Sequence, residues 1–95
     1  MKIIAIEREV PGAGVPSPAL LREEASAVWR LHVQGVIRQA WFTVDTHDAV
    51  LELECSGTEH AARALAELPL VAAGVIRFDV RGLRPYDGFT RLFAS

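Results

Sequence analysis

The sequence is short of several things at once, and each shortage excludes a class of protein. Cys55 is the only cysteine among 95 residues, which rules out an intramolecular disulfide and any multi-cysteine zinc site. Lys2 is the only lysine, and ten basic against twelve acidic residues leave a net charge of −2. Such a chain has no electrostatic footprint for nucleic acid. No stretch approaches the ~18 to 20 apolar residues of a membrane span. The opening run Ile3-Ile4-Ala5-Ile6 stops at Glu7-Arg8-Glu9, too short for a signal-peptide core and without a small-residue cleavage site. The cytoplasm is the expected location. A phosphate-cradling glycine loop, a G-x-S-x-G elbow and a dinucleotide fingerprint are all missing. His32, His47, His60 and Cys55 show no paired ligand spacing, so no metal site is expected.

What is present reads as one small globular domain. Hydrophobic residues make up 51% and charged residues 23%, close to the globular average. A chain of this size withdraws only somewhat over ~60% of its extended surface from water on folding. Cover from a second copy is therefore expected.

Residues 2 to about 10 read as a strand, apolar on both faces over Ile3 to Ile6 and so interior to a sheet. Pro11-Gly12-Ala13-Gly14-Val15-Pro16 breaks it. Ser17 then serves as N-cap and Pro18 as the first residue of a helix running to about Gln34, with Gly35 as its left-handed cap. Val36 to Val44 are rich in branched and aromatic residues and form a second strand. Asp45-Thr46-His47-Asp48 make a turn, and Ala49 to Cys55 alternate as a third strand. Ser56-Gly57-Thr58-Glu59 matches a capping box before a short helix that Pro69 terminates. After Gly74 a fourth strand sets Ile76, Phe78 and Val80 against Arg77, Asp79 and Arg81. Residues 86–95 form a tail carrying Tyr86, Phe89 and Phe93.

The order is βαββαβ, the ferredoxin-like α+β arrangement, in which two helices cover one face of a four-stranded antiparallel sheet. The domain spans residues 1–85. The second sheet face is apolar on the first two strands but carries Glu52, Glu54, Arg77, Asp79 and Arg81 on the others. A half-polar face of that kind fits pairing with its own copy across a two-fold axis.

Glu24 is the first candidate for chemistry. At about 100° per residue, Leu20, Leu21, Val28 and Leu31 all fall within ~60° of it, so Glu24 sits inside the apolar stripe of the first helix. A carboxylate facing the sheet loses solvation, and its pKa rises unless a cation or donors meet it. That is the environment of a general base; the alternative is a structural ion pair with Arg38 or another arginine. Arg38 and Trp41, three apart on a strand, fall on opposite faces. Facing the helices, Arg38 would pair with Glu24 or fork a substrate carboxylate, and Trp41 would form an apolar wall. Their commoner roles are an interface arginine and a core tryptophan. His32 flanks the Glu24 stripe, and His47 lies beside Asp45, whose carboxylate is placed to orient its ring. His60 reads as surface and Cys55 as a small core residue.

Gly35-x-x-Arg38-x-x-Trp41, Leu65-x-x-Leu68-Pro69-Leu70 and Phe78-Asp79-Val80-Arg81-Gly82-Leu83 with Arg84-Pro85 resemble the muconolactone delta-isomerase pattern in order and spacing. Glu24, eleven residues before Gly35, falls where those isomerases carry a glutamate. The resemblance covers most of residues 2 to 85. It implies a dimeric α+β barrel, in which two ferredoxin-like subunits press their sheets together, and larger rings of such dimers. It also implies cofactor-free proton transfer within muconolactone to give 3-oxoadipate enol-lactone, with Glu24 shuttling the proton and Arg38 in the pocket. The Gly/Pro-rich first loop, the Asp45–Asp48 turn and the tail depart from that pattern. The tail's aromatics are expected to pack on a partner subunit.

Three functions remain open at this level. One is a cofactor-independent isomerase with Glu24 as acid/base and Arg38, His32 or His47 orienting an anionic or carbonyl substrate. Another is a non-catalytic oligomeric module binding a small ligand. The third is a cofactor-free monooxygenase or cyclase whose apolar pocket is lined by Trp41 and Phe42.

Overall fold

Lys2–Glu9 form strand β1, which lies between β3 (Ala49–Glu54) and β4 (Ile76–Gly82), with β2 (Ile37–Phe42) on the far side of β3. All neighbours are antiparallel. The computed structural model describes residues 1–93, so the last two positions of the expected tail lie outside the described residues. The topology is the ferredoxin-like one expected, with α1 (Pro18–Val33) and α2 (Thr58–Ala66) as its crossovers. Pro69, which ends α2, also opens an additional one-turn helix, α3 (Pro69–Ala72). Proline suits that first position because its missing N–H would have had no helical partner. Among the described residues no helix is long and apolar enough to cross a membrane.

The caps explain where the elements begin and end. Ser17 Oγ accepts the Leu20 N–H at 3.1 Å and starts α1 as expected. At its end Gly35 adopts φ +81°. The Gly35 N–H then reaches the His32 carbonyl and the Val36 N–H the Leu31 carbonyl, the paired bonds of a left-handed glycine cap. The expected capping box at Ser56 does not form. Gly57 is the N-cap of α2 and no side chain caps it. Instead the Ser56 amide and hydroxyl both lie 3.2 Å from His60 Nδ1, so an imidazole takes the amide that Glu59 would have taken in a box.

Period-two alternation assigns the faces. Ile3 and Ala5 of β1, Leu51, Leu53 and Cys55 of the third strand's line, and Ile37 of β2 are buried beneath the helices with Ala61, Leu65 and Leu68. This core sits at one end of the sheet. α1 has no fully buried residue along its 16-residue length, because at the other end its apolar stripe faces a cavity.

Strand β2 corrects two expectations. It ends at Phe42 rather than Val44, and its register slips between Ile37 and Gln39. The irregularity adds a residue opposite β3, so counting by twos from Arg38 no longer assigns the face of Trp41. Ala40 and Phe42 stand opposite Leu51 and Ala49 on the helix face, while Trp41 stands opposite Val50 on the other. Trp41 is 61% exposed and is not a core residue. The second face carries the row Trp41, Val50, Ile6 with Ile4 beside it, bordered by Glu52, Arg81, Asp79 and Lys2.

Beyond Gly82 the chain leaves the sheet and turns once, as a 3-10 helix over Gly88–Leu92. Tyr86 and Phe89 pack edge to face at 4.9 Å, yet these two, Leu92 and Phe93 stay exposed. The radius of gyration is 15.6 Å and the longest dimension 59 Å, against about 12 Å for the radius of a compact chain of this length. Apart from that pair's mutual contact, the arm's apolar side chains find little cover among the described residues.

Candidate active site

A cavity of about 1210 Å³ opens between α1 and the end of the sheet away from the core. Its floor is Ala49, Leu51 and Phe78, its walls are α1 and Leu70, and the Val10–Pro16 loop borders it. The irregular Pro/Gly loop that joins β1 to α1 contributes Gly12, Gly14 and Pro16 to this border.

Glu24 projects into this cavity from the middle of α1, as its helical spacing predicts. Its Oε1 accepts the Leu70 N–H at 3.0 Å. Burial pushes its pKa above the ordinary 4.5, the Leu70 hydrogen bond opposes that, and the charge of Glu7 adds to the rise. No arginine reaches it. Among the described residues the ion pairs are Met1–Glu54, Lys2–Glu52, Arg8–Asp79 and Arg81–Asp79. The ion-pair alternative for Glu24 is therefore not what the structure contains.

Glu7 is the residue that sequence reasoning missed. It continues the Ile3–Ala5 line of β1, faces the helices opposite Phe78, and lines the cavity. Its Oε1 accepts the Ala49 N–H at 2.9 Å. The period of two along β1 carried the signal: after two buried apolar positions, the next residue on that face is an acid.

Arg38 lies on the cavity rim with its Nε donating to the Gly35 carbonyl at 2.7 Å. Its charge also acts on Glu54, which lies beside the start of β2 and is held below the usual carboxylate range first by the terminal ammonium of Met1 and to a lesser degree by Arg38. His32, in the last turn of α1, also lines the cavity. Its Nδ1 is 3.0 Å from the Ile37 carbonyl. A carbonyl only accepts, so Nδ1 carries the proton and Nε2 is the acceptor of the neutral ring. Trp29, which the sequence did not single out, tilts against this imidazole at 5.5 Å.

His47 reaches the rim by a different route from the one expected. Asp45 does not orient it, because that carboxylate accepts the Thr46 N–H at 2.9 Å. The turn is held by Thr43, Thr46 and Asp48, and His47 sits at φ 59° with its ring stacked on Phe42 at 3.9 Å. Phe42 thus lines the cavity from the helix face, while Trp41 meets it only along the β2 edge. The structure brings Glu24, His32, His47, Phe42 and the Arg38 rim around one space. Among the described residues no group of three His, Cys, Asp or Glu is placed to hold a metal ion.

Muconolactone isomerase, as solved by crystallography, superposes on this chain with a TM-score of 0.73 over 92% of each chain, at 21% identity. The chain has the muconolactone isomerase fold. That fold also occurs in a 5-chloro-2-hydroxyhydroquinone dehydrochlorinase from Burkholderia phenoliruptrix AC1100, solved with 2,5-dihydroxybenzoquinone. It gives a TM-score of 0.64 over 88% of this chain and 94% of the other, at 14% identity. No protein-family model and no curated protein sequence matches the chain. Within the muconolactone isomerase fold, Gly35 and Arg38 mark the junction of α1 with β2, Trp41 stands near the other end of β2, and Leu65 to Leu70 link α2 to the cavity wall through the Leu70 amide.

Proposed function

We propose that this protein is a cofactor-independent, isomerase-like catalyst that moves a proton on a lactone or other small cyclic carbonyl compound of aromatic catabolism. The observation that carries this reading is Glu24: a half-buried carboxyl, without a cationic partner, raised in pKa inside a ligand-sized cavity. A base so placed abstracts a proton from the carbon beside a carbonyl. The C–H electron pair passes to the carbonyl oxygen as an enolate, and the carboxylic acid formed returns the proton at another carbon. His32 Nε2 is sited to accept a hydrogen bond from a substrate hydroxyl, His47 to meet a substrate oxygen, Arg38 to stabilise negative charge at the rim, and Phe42 and Trp41 to bound the ring. The likeness in fold to an isomerase and a dehydrochlorinase of aromatic compounds supports the substrate class.

The working unit in this proposal is a homodimer or larger homo-oligomer in the cytoplasm, with the Trp41–Val50–Ile6 row covered by a second copy and the aromatic arm packed on a partner. The test is proton exchange in D₂O followed by NMR, with muconolactone and a hydroxylated cyclic enone as probes. Wild-type protein is expected to catalyse exchange of at least one, and Glu24→Gln to slow it by ~10² to 10⁴-fold. Full activity in Glu24→Gln, or no exchange by the wild type, would overturn the proposal.

A further inference from the structure

The charge around the cavity is lopsided. Among the described residues, Glu7, Glu9, Glu24 and Asp48 line it against a single guanidinium, Arg38, and the only other titratable lining groups are His32 and His47. Arg38 is at the rim, beside Gly35 where α1 ends, while Glu7 and Glu24 are close enough for the charge of one to raise the pKa of the other. A carboxylate entering that space would approach like charges in a partly water-excluded setting, where they are weakly screened.

The two inner carboxyls are also pinned for a purpose other than mutual contact. Glu24 Oε1 holds the Leu70 N–H and Glu7 Oε1 the Ala49 N–H. The second oxygen of each has no hydrogen-bond partner among the described residues, and neither is a sealed polar atom. Both remain open to donors from the cavity. At the mouth, Trp29 and the Phe42–His47 stack supply flat faces. Acceptors within and flat faces at the rim match a ring that carries hydroxyl groups and no free acid.

We infer that the cavity selects a neutral, polyhydroxylated ring over the same ring bearing a carboxylate, with Glu7 and Glu24 accepting the ring hydroxyls. Of the anionic and carbonyl substrates that the sequence left open, this disfavours the anionic one, and it rests on the proposed proton-transfer site.

Two probes with one ring test it: 3,5-dihydroxybenzyl alcohol and 3,5-dihydroxybenzoate, titrated near neutral pH against the full chain by Trp fluorescence and calorimetry. The alcohol is expected to bind at least about tenfold more tightly, the order of magnitude that one uncompensated like-charge contact commands. Glu7→Gln keeps an oxygen for the Ala49 amide, and is expected to narrow the gap by strengthening binding of the benzoate. Added salt should narrow it only slightly in the wild type, because charges in a partly water-excluded site are weakly screened. Equal binding, tighter binding of the benzoate, or no saturable binding of either probe would overturn the inference. Because the D₂O exchange assay reads Glu24 chemistry and this titration reads charge selection, either can fail while the other stands.

Discussion

Replacing Glu24 by alanine and by glutamine separates its two physical roles. Alanine removes the acceptor of the Leu70 N–H, a contact spanning 46 residues of sequence between α1 and α3. Leaving a buried donor without a partner costs ~1–3 kcal/mol. Water in the cavity can reach this one, and alanine's better helix propensity returns a few tenths, so a net loss of about 1 to 1.5 kcal/mol is expected. For a domain of this size that is a fall of ~4–12 °C in Tm. Glutamine keeps the acceptor oxygen and removes only the charge. Because burial and Glu7 raise the pKa of Glu24 in the folded chain, the native state holds a proton that the unfolded state releases above about pH 4.5. Wild-type stability from this group is therefore complete below the ordinary pKa and is lost as pH rises through the folded value. The stability of Glu24→Gln relative to wild type should increase over that interval and stay higher at neutral pH. Urea unfolding of the three proteins at acid and neutral pH, followed by circular dichroism, measures both effects. Glutamine as harmful as alanine near neutrality would refute the reasoning, since the charge itself would then be holding the structure.

Other parts of the molecule give sharp expectations. Leu53, at 1% exposure near the end of β3, should lose ~2–5 kcal/mol as Leu53→Ala, read from denaturant midpoints. Ile6→Glu places a charge in the apolar row of the open face and should reduce wild-type oligomers to monomers by sedimentation, with an unchanged circular dichroism spectrum; a wild type already monomeric would remove the role given to that face. The Cys55 thiol is buried and pushed up in pKa by burial, with Glu54 adding, so iodoacetamide should label it slowly in the native protein and fully in denaturant.

Much of the fold was legible because its signals are local. The Ser17-Pro18 start and Gly35 end of α1 follow from which residues tolerate each backbone conformation. The alternation in β3 and β4 follows from the pleat, and Glu24 on the apolar stripe from 3.6 residues per turn. Misreadings arose where a local rule was overridden. The Ser56 box lost to His60, which competes for the same amide. Counting by twos from Arg38 to Trp41 does not carry across the irregularity in β2, which no residue there announces. Asp45 found the Thr46 amide nearer than His47. Glu7 was readable in principle, since the same alternation that buries Ile3 and Ala5 aims it at the helices, but an acid at a strand end reads as solvent-facing until something is known to lie above it.

By itself, then, the sequence determined the order of the four strands and the two crossover helices, the caps of α1, the two faces of the sheet and the one acid on the apolar side of α1, because each depends on periodicities and backbone preferences confined to neighbouring residues. Only the tertiary structure decided that α1 stands over a cavity, that Glu24 meets a backbone amide and the charge of a second carboxylate and not the arginine of the alternative reading, and that acids outnumber cations around that space. Those are distances between residues far apart in the chain, and no short-range rule contains them.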